Sequence, residues 1–392
     1  MQVNDLLVEV RDASLNRVGL ITADYLAGFS CVLRYNAIGT WSLTLPTNHP
    51  LQSTLATPGN GIVVTLLGQT LLSGPTTWTQ TTQTVEVPEG VTQITGLDDS
   101  VLLRDRLAYP TPTTADVTLQ TSAYDIRSGF AESVMKAYVQ ANMGSTAPAE
   151  RKIALLDIDT DASAGATVKG SARFDILYEL LQNLSDASAQ AGTPLGFEIV
   201  QNGSRLLFKT YVPTNRASTI RLDIANNRLT ETTYSVAQPK MTRAIVGGQG
   251  DGTARTFLER SSTTSLTAEG TWGRRIEQYV DSRSSADSTA LQTDGDAALA
   301  DGGKAQVTAS VKPTDDSTML FGQDWFLGDT VTVVVGDYEL AAVVTELGLS
   351  VAGDGVRLYG TIGEPKLQTY EQQILANLAN QSTRLNNLER YK

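Results

Sequence analysis

One cysteine and one histidine stand in a chain of 392 residues. A single thiol, Cys31, excludes an internal disulfide framework and any metal site built from several cysteines. Its surroundings, Phe29 to Tyr35, alternate apolar and polar, so it reads as a small apolar strand residue rather than a nucleophile. The lone histidine, His49, lies in Thr47-Asn48-His49-Pro50-Leu51, a turn after a strand, and no Ser/His/Asp or Cys/His constellation can be built around it. Long apolar runs are also missing. No stretch approaches the ~20 residues of a membrane helix, and Met1 to Asp12 has neither the basic start nor the apolar block of a signal peptide. A soluble chain made in the cytoplasm, with no membrane insertion, is expected. Basic residues are the minority, 30 Lys plus Arg against 42 Asp plus Glu, for a formal net charge of −12. Nucleic-acid binding by phosphate neutralisation depends on Lys and Arg, so that mode is disfavoured.

What is present is apolar content of 41% and many Thr, Ser and Val residues in short runs separated by Gly, Asn and Asp. This is the composition of a globular, mainly β protein, and the length calls for about two to four domains. Residues 1 to about 105 form a string of strands: Leu6 to Arg11, Val18 to Ile21, Phe29 to Tyr35, Gly39 to Leu45, Gly61 to Leu67, Gln69 to Gly74, Thr76 to Val87 and Val91 to Gly96. Strands at this spacing suggest a small barrel or sandwich. At Leu97 the character changes. Asp98, Asp99 or Ser100 is placed to cap a short helix over Val101 to Leu103. A longer helix is expected from Ala123 to Met143, where Ile126, Phe130, Val134 and Tyr138 recur every four residues, and another from Ser171 to Ala191 on a stripe of Phe174, Leu177, Leu180, Leu181 and Leu184. Gly196 to Val200 and Arg205 to Tyr211 flank Asn202-Gly203 and read as a hairpin. Residues 106–212 thus look like an α+β insertion.

Arg221 to Arg255 is a junction. Leu229 to Val236 is strand-like and Pro239 breaks the run, having no N–H for a ladder. Met241 to Val246 begins a new strand, and Gly247 to Gly252 forms a turn into Thr253 to Glu259. A second β module follows: Gly273 to Val280, a polar helix over Ser284 to Gly303, then Lys304 to Lys312, Thr330 to Val335, Glu339 to Leu347 and Gly355 to Ile362. Turns at Gly336-Asp337 and Gly353-Asp354-Gly355 divide its last three strands. In the last segment, residues 365–392, Leu367, Ile374, Gln381 and Leu388 fall seven apart, as do Glu371, Leu378 and Leu385. Two heptad series offset by four make an a/d seam. A helix of this kind either self-associates through Leu367, Ile374, Leu378, Leu385 and Leu388, the favoured reading, or packs back on its own domain.

Catalytic signals are weak. Asp157, Asp159 and Asp161 have the spacing that opens a calcium loop, but Ala162 replaces the turn glycine and Val168 the bidentate acid. Gly248-Gln249-Gly250-Asp251-Gly252 lacks the spacing and the following helix of a phosphate loop. Carboxylate pairs can be picked anywhere in so acidic a chain and carry no meaning. No catalytic residue, cofactor or metal site is assigned, and an enzyme is not expected.

Several segments, in order, carry a resemblance: Leu7 to Gly19, Leu97 to Pro110, Phe208 to Arg216, Asn227 to Tyr234, Ala244 to Arg255, Arg274 to Asp281 and Phe321 to Val333. Together they resemble the tail hub, or baseplate hub, proteins of long-tailed (siphovirus-type) phages, in the version common in phages of actinobacteria and other Gram-positive hosts. The resemblance implies a homotrimer with two related β-barrels per subunit. Residues 1–105 with 213–238 would form the first, 106–212 an inserted α+β domain, 239–364 the second with a polar helical insertion, and 365–392 a coiled coil. It implies a structural virion protein at the tail tip, made in the host cytoplasm. Such a hub closes the tail tube, adapts a threefold tip to a sixfold tube and opens for DNA passage. The implied partners are a distal tail protein ring, the tape measure protein C-terminus and tail fibre or other tip proteins, with phage DNA passing transiently and unspecifically beside like charge. Receptor-binding and wall-degrading work would then fall to other proteins. A trimeric glycan- or receptor-binding fibre protein, a tip-associated hydrolase and the hub of a contractile injection machine remain as alternatives.

Overall fold

The computed structural model describes residues 5–250, 252–282, 288–313, 319–335, 338–352 and 355–363. The five seam residues Leu367, Ile374, Leu378, Leu385 and Leu388, and the turns at 336–337 and 353–354, lie outside the described residues. The chain is mainly β. It divides into two compact units, Met1–Thr233 with Ser310–Ile362, and one built on Tyr234–Ala309.

In the first unit the alternation read from the sequence becomes a sheet. Strands β1 (Leu6–Arg11), β2 (Arg17–Ile21), β3 (Phe29–Arg34), β4 (Thr40–Pro46), β5 (Gly61–Leu66), β6 (Gln69–Thr82) and β7 (Val91–Leu97) run in the order β2-β1-β5-β6-β7-β4-β3. On β3 and β4 every second residue is buried, with Phe29, Cys31 and Leu33 beside Trp41, Leu43 and Leu45, as a sheet with one face on the core requires. The long β6 serves two neighbours: its first half pairs with β5 and its second with β7. Where it crosses over, Gly74 passes the Leu97 carbonyl so closely that a Cβ would overlap it.

Two barrels are expected; the described strands close neither. The outer edge of β3 is taken by the strand Tyr338–Ala352, with Leu33 opposite Leu347 and Cys31 opposite Leu349. The path then continues through Gly355–Gly363 and Gln306–Pro313 to Leu229–Ala237, so a thirteen-stranded open sheet joins strands from both ends of the chain. The expected return strand from Arg221 to Val236 is broken in two: Arg221–Leu222 pairs in parallel with Thr330–Val335, and Leu229–Ala237 ends the path.

Residues 106–212, the stretch expected as an insertion, pack in a cluster around the helices Ala131–Asn142 and Leu177–Gln190 and the hairpin Gly196–Asn202/Arg205–Tyr211, which Leu15 and Leu103 also join. The hairpin is found where expected, with Asn202 paired to Arg205 and Gly203-Ser204 as its turn. Two helices begin later than their periodicity suggests. Asp125–Phe130 is a strand, paired antiparallel with Thr167–Ala172, so the first part of the expected helix is extended. Ser171 and Ala172 end the partner strand, and Phe174 takes a φ of 63° before the second helix starts. The competing sheet pairing outweighs a helical pattern that only four positions support.

In the second unit Arg243–Gly247 lies between Phe257–Arg260 and Glu277–Asp281. Met241, Ala244 and Val246 meet Leu291 and Leu299 of the helix Ser288–Gly302. Residues Gly252–Ala254 form a short 3₁₀ turn, so the strand expected from Thr253 begins only at Phe257. A helix over Thr263–Trp272 was not legible: it is rich in threonine and has little periodicity, and it is set by a capping box between Ser262 and Ser265.

Candidate functional site

The most developed polar site of the first unit is the joint by which the inserted hairpin is fixed to the sheet. Arg11, at the end of β1, is buried, and its guanidinium donates to both oxygens of buried Asp99, at 2.8 and 2.6 Å. Its Nη1 also donates to Gln201 Oε1 at 3.0 Å. Ser73 Oγ on β6 donates to Asp99 Oδ2 at 2.6 Å and accepts from the Gln201 backbone N–H at 2.6 Å. Gln201 Nε2 in turn donates to the Leu15 and Gly203 carbonyls at 2.6 and 2.8 Å. Four side chains from four separate stretches thus meet in one network, which supplies partners to both terminal guanidinium nitrogens and to both carboxylate oxygens and leaves only Arg11 Nε without one.

A second contact locks the turn between β3 and β4. Asn36 sits at φ 46°, a left-handed conformation that asparagine adopts more readily than most residues. Its Nδ2 donates to Ser185 Oγ and the Leu195 carbonyl at 2.8 and 3.0 Å, and its Oδ1 accepts from Phe197 N–H at 3.0 Å. Its carbonyl accepts from the Tyr178 hydroxyl at 2.7 Å and Gln182 Nε2 at 2.8 Å. One turn residue is therefore held by both the helix Leu177–Gln190 and the hairpin.

Asp98 lies beside this joint. Its two oxygens accept from the backbone N–H groups of Gly39 and Ser100. Burial pushes its carboxyl up to about 7, against the two amides, with the charges of Asp99 and Glu198 adding to the rise. Elsewhere in the inserted stretch Glu132 clamps a loop: Oε1 accepts from Lys136 Nζ and the Thr210 hydroxyl at 2.6 and 2.9 Å, and Oε2 accepts from Ala162 and Ala164 N–H at 3.2 and 2.7 Å.

The residues weighed for chemistry fall apart from one another. Asp157 pairs with Arg205 at 2.5 Å, Asp159 caps Thr160 N–H, and Asp161 accepts from Ser163 N–H. Cys31 is buried in β3, and burial pushes its thiol up to about 12. His49 sits edge-on to Tyr25, with ring centroids 4.5 Å apart, and its Nδ1 accepts from Leu51 N–H. The arrangement at the joint can bear load and hold geometry. Nothing local in the sequence reveals Arg11, Ser73, Asn36 or Gln201 as its members, although an arginine ending a strand and the Asp98-Asp99 pair before a short helix are visible as charges in need of partners.

Three comparisons bear on this fold. A sequence profile for Siphovirus ReqiPepy6 Gp37-like proteins matches residues 7–364. No curated protein gives a significant match. Among solved structures, the chain is similar to the 43 kDa tail protein of prophage MuSo2 from Shewanella oneidensis, with TM-score 0.57 and 9% identity over 91% of this chain and 97% of that one. It is similar to a prophage tail protein from Listeria monocytogenes, with TM-score 0.52 and 12% identity over 95% and 98%. A tail protein from Neisseria meningitidis gives TM-score 0.52 and 12% identity over 92% and 96%. At such identities the likeness is one of fold, and it runs the length of each partner. With the profile covering all but the two ends, the chain belongs to the family of Siphovirus ReqiPepy6 Gp37-like proteins.

Proposed function

We propose that this chain is a structural tail protein of a long-tailed phage, acting as a homotrimeric hub that closes the distal end of the tail tube. The observation that carries the reading is the fold shared with phage tail proteins over nearly the whole chain, together with the family match over residues 7–364. The polar joint suits such a part, because it holds the inserted stretch to the sheet through buried groups that bond to one another. In this role three subunits adapt a threefold tip to a sixfold tube, contact a distal tail protein ring, the tape measure protein and fibre or other tip proteins, and open for DNA. The excess of 42 acids over 30 bases keeps passing DNA from adhering. A threefold coiled coil over residues 365–392, with Leu367, Ile374, Leu378, Leu385 and Leu388 in its seam, belongs to the same proposal.

The test is the solution mass of the purified chain, intact and truncated after Glu364, measured by sedimentation or light scattering. A trimer is expected for the intact chain, weakened on truncation if the seam contributes. A chain that stays monomeric in both forms, even with a distal tail protein ring added, overturns the hub.

A further inference from the structure

The spacing of four that links Ile126, Phe130, Val134 and Tyr138 is divided by the fold. Val134 and Tyr138 enter the core, while Ile126 and Phe130 point outward from the strand Asp125–Phe130. Tyr124 precedes them in the same alternation, in which Ser128 takes the exposed place between Ile126 and Phe130, and Tyr124, Ile126 and Phe130 are 48, 57 and 49% exposed. With ~3.3 Å per strand residue, this row is ~20 Å long. The neighbouring strand carries a polar and basic row: Thr167, Lys169 and Ser171 face outward, and Arg173 beyond them places its guanidinium 5.6 Å from the Tyr124 ring. Among the described residues neither Lys169 nor the Arg173 guanidinium has an ion-pair partner, Asp175 accepting from the Arg173 backbone N–H instead, in a chain where acids outnumber bases. The inward face of this two-stranded sheet is filled by Ala131–Asn142 and Leu177–Gln190. Scattered exposed apolar residues are ordinary, but an aligned row beside uncompensated cations has the composition of a binding surface.

We propose that this outward face docks an amphipathic helix of another polypeptide, its apolar stripe on Tyr124, Ile126 and Phe130 and its bordering Asp or Glu residues on Lys169 and Arg173. A helix of about 13 residues matches the row at 1.5 Å per residue, and it would give the sheet a helical layer on both faces. Charge selects this occupant over two others. A second copy presenting the same face would set Lys169 and Arg173 against themselves. The chain's own segment from 364 to 392 holds four basic and three acidic residues, counted as Lys366, Arg384, Arg390 and Lys392 against Glu364, Glu371 and Glu389, so it brings no acidic border. The inference is independent of the tail reading, since it concerns only what this face binds.

The probes are two labelled 14-residue amphipathic peptides with the same leucine stripe, one bordered by Glu and one by Lys, titrated against the full chain by fluorescence anisotropy. The Glu peptide is expected to bind at least about tenfold more tightly than the Lys peptide, a difference of about 1.4 kcal/mol. Ile126→Ser with Phe130→Ser should lower its affinity about tenfold while leaving the melting temperature unchanged, and Lys169→Glu with Arg173→Glu should reverse the preference. Binding that ignores the border charge, or that survives both double variants, overturns the proposal. So does binding that appears only after truncation at Glu364, which would make the chain's own tail the occupant. A self-association abolished by Ile126→Ser with Phe130→Ser would likewise overturn it in favour of a second copy.

Discussion

Arg11 and Asp99, 88 residues apart, meet through two side-by-side hydrogen bonds of 2.8 and 2.6 Å, with both side chains almost wholly buried. Bidentate geometry and the added contacts to Ser73 and Gln201 make this pair one of two points, with Asn36, where the sheet is fixed to the stretch 106–212.

Breaking the pair on one side should be costly. Arg11→Met or Asp99→Ala leaves the opposite charge buried and is expected to destabilise the unit by about 3–5 kcal/mol. The double variant Arg11→Met with Asp99→Ala removes both charges and should cost less than the sum of the two single losses. Urea unfolding of the three variants measures this, and additive losses would refute the coupling.

Asp98 makes stability depend on pH. Burial lifts its carboxyl from 3.8 to about 7 in the folded chain. Between those values the folded state holds more protons than the unfolded one, so this group's contribution falls as pH rises and the loss is complete above the folded value. Urea midpoints measured from pH 5 to 8 should decline, and Asp98→Asn should flatten that limb. A wild-type midpoint that climbs across the window with the same slope in the variant would count against the assignment.

Glu132 acts with the opposite sign at lower pH. Burial alone would raise its carboxyl, but Lys136, the Ala164 amide, Thr210 and the Ala162 amide hold it down to about 2 from 4.5. Its contribution is present above the ordinary value and is lost as pH falls toward the folded one. Glu132→Gln strands the buried Lys136 and should cost about 3–5 kcal/mol near neutral pH, with acid unfolding less steep than in the wild type. Circular dichroism during acid titration follows both effects.

Gly74 and Gly192 should separate two reasons for glycine. A Cβ on Gly74 collides with the backbone at Leu97 and Asp98, which cannot move without parting β6 from β7. Gly74→Ala is therefore expected to lose at least about 4 kcal/mol or fail to fold. Gly192 has φ 90° and nothing within reach of a Cβ, so Gly192→Ala should cost only about 1–2 kcal/mol of backbone strain. Equal losses in denaturant unfolding would refute this division.

The sequence alone makes legible the local elements whose signals are short-range. The alternation of β3 and β4, the Asn202-Gly203 hairpin, the strand Thr330–Val335 and the apolar stripe from Leu177 to Leu184 all follow from side-chain period and turn chemistry within a few residues. It also carried the ordered segments by which the family was recognisable. What meets across long separations emerges only in the folded chain. Whether Asp125–Phe130 is helix or strand depends on Thr167–Ala172 lying beside it, and the open sheet depends on β3 receiving Tyr338–Ala352 rather than closing on its own neighbours. The same holds for Arg11 finding Asp99 and Gln201, and for Asn36 reaching Leu195 and Phe197. A period of two or of 3.6 fixes which face of a segment is apolar, but it carries no address for the partner. That choice is made by complementary shape, hydrogen-bonding groups and charge brought together only when the whole chain folds.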